Sequence, residues 1–434
     1  MKTLERYFEF QELGTNWRTE ILAGLTTFLT MAYIIFVNPA MLHDAGMPLA
    51  AVTAATCVSA AFASLLMGFF ARYPIALAPG MGINAYFAYT VVKGMGIPWQ
   101  TALGAVFLSG VAFLLLTAFG IRQLIVAAIP RELYAAVAAG IGLFIALIGF
   151  RSSGIIAANP QTTMTLGHLR EPDALLALFG LALTGGLMAR GVKAAMLIGI
   201  VGTTAVGAAF GMVHWHPQTL HWSDLSATAF KLDVRAALRL GFLEVVFVFL
   251  FVDLFDNLGT LIGVTKKAGL IDSQGRIPRI DRILFTDATA TVAGSLAGTS
   301  TVVSYIESAA GITAGGRSGA TAVVVGLLFL LALFVTPLAG AIPAAATAPA
   351  LIIVGSLMVS AVAEIPWSDP VLALPAFLTM VAIPLTGSIA NGIAFGFVAY
   401  TLLKVIRGEY RGVSWLVYLL TALFIARFVY LANG

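Results

Sequence analysis

The chain has 434 residues, of which 60% are hydrophobic and only 10% are charged. Together with a mean hydropathy of +0.97, this composition excludes a soluble domain and is typical of a polytopic membrane protein. The net charge of +4 does not indicate nucleic-acid binding, because the basic residues lie between apolar runs rather than in one patch. The single cysteine, Cys57, lies within an apolar run, so an intramolecular disulfide is excluded.

The N-terminal segment predicts a membrane protein without a cleaved leader. Residues 1–18 are polar and charged, and the first apolar run is too long for the apolar part of a signal peptide. We therefore expect a multi-pass protein of the inner (cytoplasmic) membrane.

Long apolar runs divide the chain into two sets of seven. The first set lies at 20–40, 50–70, 75–92, 99–119, 130–149, 172–190 and 192–212, and the second at 240–264, 284–298, 300–314, 318–338, 343–363, 369–386 and 388–406. A further apolar stretch at 413–432 either spans the membrane or lies at its interface. We expect four parts: a first seven-span repeat at 1–212, an extracytoplasmic polar linker at 213–239, a second seven-span repeat at 240–406, and a C-terminal basic turn with an apolar segment at 407–434.

Lysine and arginine recur in alternate loops, which predicts a cytoplasmic N-terminus. Basic residues occur near the N-terminus and in the 266–282 segment, whereas the loops near 41–49 and 339–342 carry neither Lys nor Arg. A few basic positions depart from this pattern: Lys93, Arg151, Arg170 and the 231–239 segment.

The two halves of the chain resemble each other weakly. Ala128-Ile129-Pro130 and Ala341-Ile342-Pro343 each precede an apolar run rich in Gly and Ala. The number of positions that separates these two segments also separates, to within a few residues, a helix break near Gly82 from one near Gly298. Because seven is an odd number of crossings, the halves must be inverted relative to each other, as in many secondary transporters.

The third run of the first half cannot be a regular helix. Pro79 lacks a backbone donor, and Gly80 and Gly82 destabilise a helix interior. We expect a broken span here, with Asn84 as the N-cap of a half-helix that runs to Val92.

A second broken span is expected after Gly298. Thr299-Ser300-Thr301 are good N-cap residues and predict a short helix through Tyr305 and Glu307 that begins mid-membrane. Non-helical backbone at that depth is tolerated only where protein or a water-filled cavity satisfies it.

The apolar run at 240–264 carries an acidic face. At helical spacing Asp253, Asp256 and Thr260 lie on one side, with Asn257 beside them. Because a carboxylate inside the membrane costs about 3 kcal/mol on insertion scales, this face must line a cavity or a protein interior. It is the first candidate for a functional site.

Other polar residues have simpler interpretations. Asp287 is interpreted as a helix cap near the cytoplasmic interface, Glu244 as an interfacial side chain, and Arg427 as an interface or partner residue. His214, His216 and His221 lie in a polar stretch, where metal binding is the less favoured interpretation. For Asp256 and Glu307 a functional role is favoured, since both are deep in apolar runs.

Four segments of the chain share their pattern with a known family. They are Gly24-Leu25-Thr26-Thr27-Phe28 with Asn38-Pro39 at the end of the first run, Ala78-Pro79-Gly80-Met81-Gly82-Ile83-Asn84-Ala85, Asp253-Leu254-Phe255-Asp256-Asn257-Leu258-Gly259-Thr260-Leu261, and Gly298-Thr299-Ser300-Thr301-Val302-Val303-Ser304-Tyr305-Ile306-Glu307-Ser308-Ala309. Through them nearly the whole chain resembles nucleobase–cation symporter family 2 of the xanthine/uracil permease superfamily. Within that family it is similar to the azaguanine-resistance-like permeases for hypoxanthine, guanine and adenine.

The resemblance implies an all-α polytopic membrane protein with the uracil-permease fold. That fold has about 14 transmembrane spans in two inverted seven-span repeats, divided into core and gate domains. Spans 3 and 10 are the broken ones, and each is expected to begin as a short strand.

The resemblance also implies a substrate site. In such permeases carboxylates of the eighth and tenth spans hold the base, and the third span contributes. The substrate-binding residues expected here are Asp256, Glu307, Asn84, Gly80, Met81, Gly82, Thr260 and Ile306. The residues expected to couple protons are Asp256, Asp253 and Glu307. Asn257 stands where related permeases often carry Thr, which leaves the fine substrate preference open.

The expected function is import of purine nucleobases by proton symport with alternating access. Hypoxanthine and guanine are the first candidates, with adenine as a further one. A carboxylate can accept N–H bonds from an uncharged oxopurine, and such charge-assisted bonds are strong. The sequence has no GxxxxGK[ST] nucleotide-binding motif, so a titrating membrane carboxylate is the remaining coupling device, with protons or sodium as the ion.

The partners expected are a purine base, H⁺ and the lipid bilayer, with a homodimer left open. We expect no nucleic acid, no metal, no cofactor and no catalysis. Two other functions are weighed: an anion transporter of the same fold, and a polytopic membrane enzyme that uses Asp253, Asp256 and Glu307 as metal ligands or acid–base groups. A binding site for an anion would need an uncompensated positive charge, whereas several carboxylates are expected here. A membrane metalloenzyme is not supported by any HExxH pattern in the sequence.

Overall fold

The structure is a computed structural model that describes residues 2–120, 129–213, 222–239, 243–268, 270 and 277–430. It divides into two compact units. The larger unit comprises Met1–Leu115 and Gly149–Ala350, and the smaller comprises Leu116–Ile148 and Leu351–Gly434.

Helices make up most of the described chain. They are α1 Lys2–Tyr7, α2 Trp17–Met31, α3 Ile34–Asp44, α4 Leu49–Leu66, α5 Met81–Ala85, α6 Trp99–Ala118, α7 Arg131–Ser152, α8 Pro172–Ala189, α9 Ala195–Ala209, α10 Trp222–Thr228, α11 Val234–Ala237, α12 Leu243–Ala268, α13 Ile280–Ala297, α14 Ser308–Thr313, α15 Gly319–Ala332, α16 Ala344–Val359, α17 Pro370–Thr386, α18 Ile389–Ile406 and α19 Trp415–Tyr430. Wider π-helical turns continue α4 and α5, and tighter 3₁₀ turns continue α15 and α16.

Among the described residues, four short strands form two antiparallel pairs. They are β1 Leu77–Pro79, β2 Ile156–Asn159, β3 Thr163–Leu166 and β4 Val302–Ser304. β2 pairs with β3 as a hairpin between α7 and α8, while β1 pairs with β4 across most of the chain.

Eight helical segments in the described residues are long and apolar enough to cross a membrane. They are Trp17–Asp44, Leu49–Ala71, Trp99–Ala118, Arg131–Ser152, Pro172–Ala189, Gly319–Ala341, Ala344–Glu364 and Ile389–Ile406. The helices at Ala195–Ala209, Pro370–Thr386 and Trp415–Val429 are apolar but shorter. The number of spans, 14, stays a prediction, because a span that is broken into a strand and a short helix is not recognised by length and hydropathy.

The two broken spans meet at the β1–β4 pair. The register is Leu77↔Ser304, Ala78↔Val303 and Pro79↔Val302. Reciprocal main-chain bonds flank it, from Gly80 N to Thr301 O at 3.0 Å and from Tyr305 N to Ala76 O at 2.9 Å. The strands expected in both broken spans are therefore present, and each satisfies the backbone of the other.

The half-helix in the first broken span begins earlier than the sequence predicted. Gly80, in an extended conformation, is the N-cap of α5, which starts at Met81. Asn84 lies in the first turn, where its N–H donates to Gly80 O at 2.9 Å. The prediction of Asn84 as the cap is wrong because the strand ends at Pro79, which leaves Gly80 as the first free turn residue.

The half-helix in the second broken span begins later than predicted. Residues 302–304 form β4, and α14 starts at Ser308 with Glu307 as its N-cap. A helix through Tyr305 and Glu307 is therefore wrong. The backbone groups that such a helix would use are taken by the partner strand.

The described part of the polar linker holds two short helices, α10 and α11. Phe230 N donates to Leu296 O at 2.8 Å, and Asp233 N donates to Gln100 O at 2.9 Å. This segment therefore lies against the end of α13 and the start of α6. His214, His216 and His221 lie outside the described residues.

A charge cluster joins the N-terminal segment to the loops that lead into α13 and out of α4. Glu9 pairs with Arg72 and with Arg279, both at 3.1 Å, and the Arg72 guanidinium lies 4.3 Å from the centre of the Tyr7 ring. Glu9, Arg72 and Arg279 all have left-handed backbone, with φ of 59°, 58° and 56°. Since that conformation is unfavourable for L-residues, the ion pairs help to hold these turns.

Glu20 ties α2 to the start of α15. Its buried carboxylate accepts from Arg317 N at 3.0 Å, Thr321 N at 3.2 Å and Thr321 Oγ1 at 2.5 Å. The two backbone N–H groups lie at the start of α15, where a helix leaves such donors without intrahelical partners, and the carboxylate also complements the helix dipole. The charge therefore needs no cation beside it.

In the smaller unit, helices α17 and α18 pack side by side, and α19 packs on α18. The Thr401 and Thr421 hydroxyls lie 2.7 Å apart and join α18 to α19, so the described part of the last apolar stretch is a helix against α18. At the ends of these helices Arg407 Nη1 donates to both oxygens of Asp369 at 2.8 Å. This hydrogen bond holds the pKa of the Asp369 carboxyl below its usual range.

Close packing of α15 on the end of α4 supplies a test of the fold. A Cβ on Gly319 would lie 2.1 Å from Gly68 O and 2.8 Å from Arg72 Cα, both of them backbone atoms. We expect Gly319→Ala to destabilise the protein by about 1–3 kcal/mol, as overpacking does elsewhere. The control is Gly186→Ala in α8, where a Cβ meets nothing within 4 Å. Thermal unfolding in detergent measures both, and equal midpoints would contradict this packing.

Candidate functional site

Helix α12 brings the acidic face to the strand pair. It packs against α5, β4 and α14. A Cβ on Gly80 would lie 3.7 Å from Asp256 Oδ2 and 2.9 Å from Val303 Cγ2. The Asp256 carboxylate therefore faces the end of β1, and the close approach of Val303 favours glycine at position 80.

Glu307 reaches the same region from the start of α14. The Tyr33 hydroxyl donates to Glu307 Oε1 at 2.8 Å. The Tyr305 hydroxyl donates to Pro79 O at 2.5 Å and so joins the two broken spans again. Asp256, Tyr305 and Glu307 are close enough to interact electrostatically. Two carboxylates and two phenols thus surround the strand ends.

The acidic residues of this region differ in their exposure. Asp256, Thr260 and Glu307 are half-buried, whereas Asp253 is 1% exposed and Asn257 is fully buried. Asp256 and Glu307 therefore retain some exposed surface, whereas Asp253 has almost none. The two carboxylates predicted to share one face of α12 therefore differ in exposure: Asp256 is half-buried, whereas Asp253 is buried.

Asn84 lies in a buried amide network next to the site. Its Nδ2 donates to Asn38 Oδ1, and its Oδ1 accepts from the Ser300 hydroxyl. Asn38 in turn donates to Thr56 Oγ1 at 2.7 Å and to Thr299 Oγ1 at 3.1 Å. The network links α3, α4, α5 and the segment before β4. Asn84 is fully buried in this structure.

Two more buried carboxylates support β4 from behind. Thr291 Oγ1 donates to Val302 O at 3.2 Å and lies 3.4 Å from Asp253 Oδ2, while the Ser304 hydroxyl donates to Asp287 Oδ1 at 3.2 Å. Asp287 is fully buried in the interior of α13, so its interpretation as a helix cap near the interface is wrong. The helix begins at Ile280, earlier than the apolar run suggested.

The remaining candidates lie around the same point. Gly80, Met81 and Gly82 are buried at the start of α5, next to Asp256. Ile306 lies between Tyr305 and Glu307, and its side chain is 59% exposed. The aromatic residues Tyr86 and Phe87 are fully buried and pack on Phe249, while the side chain of Phe255 lies outside the described residues.

Sequence reasoning missed Tyr33, Ser300 and the part played by Asn38. Tyr33 lies in a long apolar run, where an aromatic residue is normally interpreted as packing. Asn38 gave a signal, since a buried amide in a membrane span needs partners. Its partners could not be named, because Asn84 and Thr299 are distant in the chain.

Comparison with known proteins gives matches over the whole chain. A sequence profile described as "Permease family" matches residues 18–429. The chain is 53% identical over 434 residues to "Putative permease MJ0326" of Methanocaldococcus jannaschii, with 100% of each chain covered. It is 46% identical to the adenine permease AdeP of Escherichia coli, covering 99% of this chain and 96% of AdeP. It is 45% identical to the guanine/hypoxanthine permease PbuG of Bacillus subtilis, covering 99% and 100%.

Solved structures share the fold at low identity. The transmembrane domain of the cyanobacterial bicarbonate transporter BicA matches with a TM-score of 0.64 and 15% identity, over 87% of this chain and 96% of that one. The murine anion transporter Slc26a9 in an inward-facing state matches with a TM-score of 0.66 and 13% identity, over 91% and 69%. The predicted all-α polytopic fold is confirmed, and the inverted repeat stays a prediction.

The amide network yields a test that needs no substrate. Asn84→Ala leaves the buried Asn38 Oδ1 without its donor, and a buried unsatisfied group costs about 1–3 kcal/mol. Ser300→Ala removes the other partner of Asn84. Because both changes act on one network, we expect the double variant to lose less stability than the sum of the singles, by at least about 0.5 kcal/mol. Thermal unfolding in detergent measures the cycle, and strict additivity would contradict the network.

Proposed function

The chain belongs to the permease family and is a multi-pass membrane transporter rather than an enzyme, and we propose that it imports purine nucleobases. The substrates proposed are hypoxanthine and guanine, with adenine as a further candidate. Uptake is driven by proton symport with alternating access across the inner (cytoplasmic) membrane, and the N-terminus is cytoplasmic.

The chemistry of the accessible carboxylates supports a neutral nitrogen base as substrate. Hypoxanthine, guanine and adenine each carry at least one ring N–H group and an exocyclic group but no net charge at neutral pH. Asp256 and Glu307 can each accept an N–H bond, and charge-assisted bonds of this kind are the stronger ones. A base that lacks the matching donors would leave these groups unpaired in a partly dry site, which makes discrimination sharp.

One observation carries the substrate class. Asp256 and Glu307 are both half-buried at the strand ends, and neither pairs with a Lys or Arg among the described residues. Two such carboxylates repel an anion. The anion transporters that share the fold do so at 13–15% identity, whereas the purine permeases match at 45–46%.

We assign the expected site residues to two tasks, binding of the purine base and transfer of the proton. Asp256, Glu307 and Thr260 face the base, and the backbone of Gly80, Met81 and Gly82 borders it, with Ile306 and Asn84 at the edge. Asp256 carries the proton, facing Tyr305 and Glu307 from the other elements. Asp253, one turn earlier and buried, orients it.

The organisation proposed for the chain is two inverted seven-span repeats, at 1–212 and 240–406. The linker at 213–239 is extracytoplasmic, and 407–434 forms a C-terminal appendage. The antiparallel β1–β4 pair supports this organisation, because each strand precedes a short helix and two inverted copies would meet in that way.

The first test is uptake of labelled hypoxanthine, guanine and adenine by cells that express the protein. We expect competition among at least two of the bases and loss of accumulation when a proton uncoupler is added. Relatives named for adenine and for guanine/hypoxanthine match almost equally, so competition is the measurement that ranks the bases. If no purine competed with uptake of the labelled base, the proposed substrate class would be wrong.

Glu307→Gln tests the substrate ligand. The change keeps the shape of the side chain but replaces one acceptor oxygen by a donor. We expect purine uptake to fall by at least about 100-fold while the protein still inserts, because a paired N–H would face another donor. Glu364→Gln, at an exposed position in the smaller unit, is the matched control. Near-native uptake by Glu307→Gln would remove Glu307 from the site.

Asp256→Asn tests the proton coupling. The variant mimics a permanently protonated side chain, so it can neither bind nor release a proton during the cycle. We expect loss of uphill uptake driven by external acid, with any residual base-for-base exchange becoming insensitive to pH. The exposed Asp173→Asn in α8 serves as control, and both are measured in proteoliposomes across a pH series. If Asp256→Asn still concentrates purine in response to acid, the proton is carried by Asp253 or Glu307.

A further inference from the structure

Tyr33 lies at a break in the first span. Helix α2 ends at Met31, and α3 starts at Ile34. Around the break the main chain forms tight bonds, from Ile35 N to Ala32 O at 3.2 Å and from Phe36 N to Tyr33 O at 3.1 Å. The side chain of Tyr33 is 1% exposed, so its ring position is fixed by packing.

The hydroxyl of Tyr33 occupies one particular oxygen of Glu307. It donates to Oε1 at 2.8 Å, and the carboxylate itself is half-buried. The second tyrosine of the site does not do this, because the Tyr305 hydroxyl is used by Pro79 O. Among the described residues Tyr33 is thus the side chain that orients the Glu307 carboxylate.

This arrangement limits what Glu307 can offer to a base. With Oε1 already accepting from a hydroxyl, that oxygen is the weaker and more crowded acceptor, so a substrate bonds chiefly to the other oxygen. Hypoxanthine has no two N–H donors side by side. Guanine has such a pair at N1 and the 2-amino group, and a fully open carboxylate would accept both, as carboxylates do from other forked donors.

Building on the purine transport proposed above, we propose that Tyr33 is a specificity-determining positioning residue. By holding Oε1 of Glu307, it makes the site accept purines with a single N–H donor about as well as those with a paired donor. Removal of the hydroxyl opens the second oxygen and favours guanine over hypoxanthine. Tyr33 acts through Glu307 and does not itself contact the base.

The decisive measurement is a ratio of affinities. For Tyr33→Phe we expect the apparent affinity for guanine relative to hypoxanthine to rise by about three- to tenfold, the value of one additional hydrogen bond. A purely structural role would weaken both bases alike and leave the ratio unchanged. Tyr73→Phe is the matched control, since Tyr73 donates its hydroxyl to Pro278 O at 2.6 Å and touches no residue of the proposed site. Its ratio should equal that of the native protein.

A second measurement uses the native protein and needs no substitution. We expect guanine and hypoxanthine to compete for uptake within about threefold of each other, because a single open oxygen gives the 2-amino group little to bind. A native preference for guanine above about tenfold, or an unchanged ratio in a correctly inserted Tyr33→Phe protein, overturns the role of Tyr33. Failure of the native protein to transport either base would instead overturn the proposed function.

Discussion

The whole centre of the larger unit depends on one requirement: backbone N–H and C=O groups inside a membrane protein must find partners. The two broken spans meet it by pairing with each other as β1 and β4. Side chains complete the pairing. Ser64 Oγ bonds both Leu77 N and Leu77 O at 3.0 and 3.1 Å, and Ser308 Oγ accepts from Ala76 N at 3.0 Å. Ser64 of α4 and Ser308 of α14 therefore stabilise the strand pair by bonding to its backbone.

Strand pairing also determines where the chemistry lies. Gly80 follows β1 directly, and Glu307 follows β4 after a short turn, so antiparallel pairing places them beyond opposite ends of the same three-residue ladder. Helix α12 packs against this junction and adds Asp256. The buried Asp253 and Asp287 lie against β4 through Thr291 and Ser304. A site of two accessible carboxylates thus rests on two inaccessible ones.

Sequence patterns predicted the parts of this centre that local chemistry determines. Pro79 and the neighbouring glycines cannot continue a helix, so the first broken span followed directly. Carboxylates in an apolar run cannot face lipid, which predicted that Asp253 and Asp256 lie against other parts of the protein, whereas the role of Asp256 stays a prediction. The helix starts were wrong because the competing structure, a strand, has its partner in the other half of the chain. The roles of Tyr33 and Asp287 were missed for the same reason, since each is set by a residue far along the chain or by where a helix begins.

The β1–β4 pair also constrains how the protein is made. Tyr305 and Pro79 are joined by a hydrogen bond across 226 residues of chain. At about 5–20 residues per second, ribosomes need roughly 10 to 45 s to supply the second strand after the first. During that interval Ser64, which has already been synthesised, can form hydrogen bonds with the backbone of Leu77. The backbone groups of β1 that bond to β4 do not yet have their final partners. The first strand must therefore wait in water, in the insertion machinery or in a temporary helix until β4 has been made.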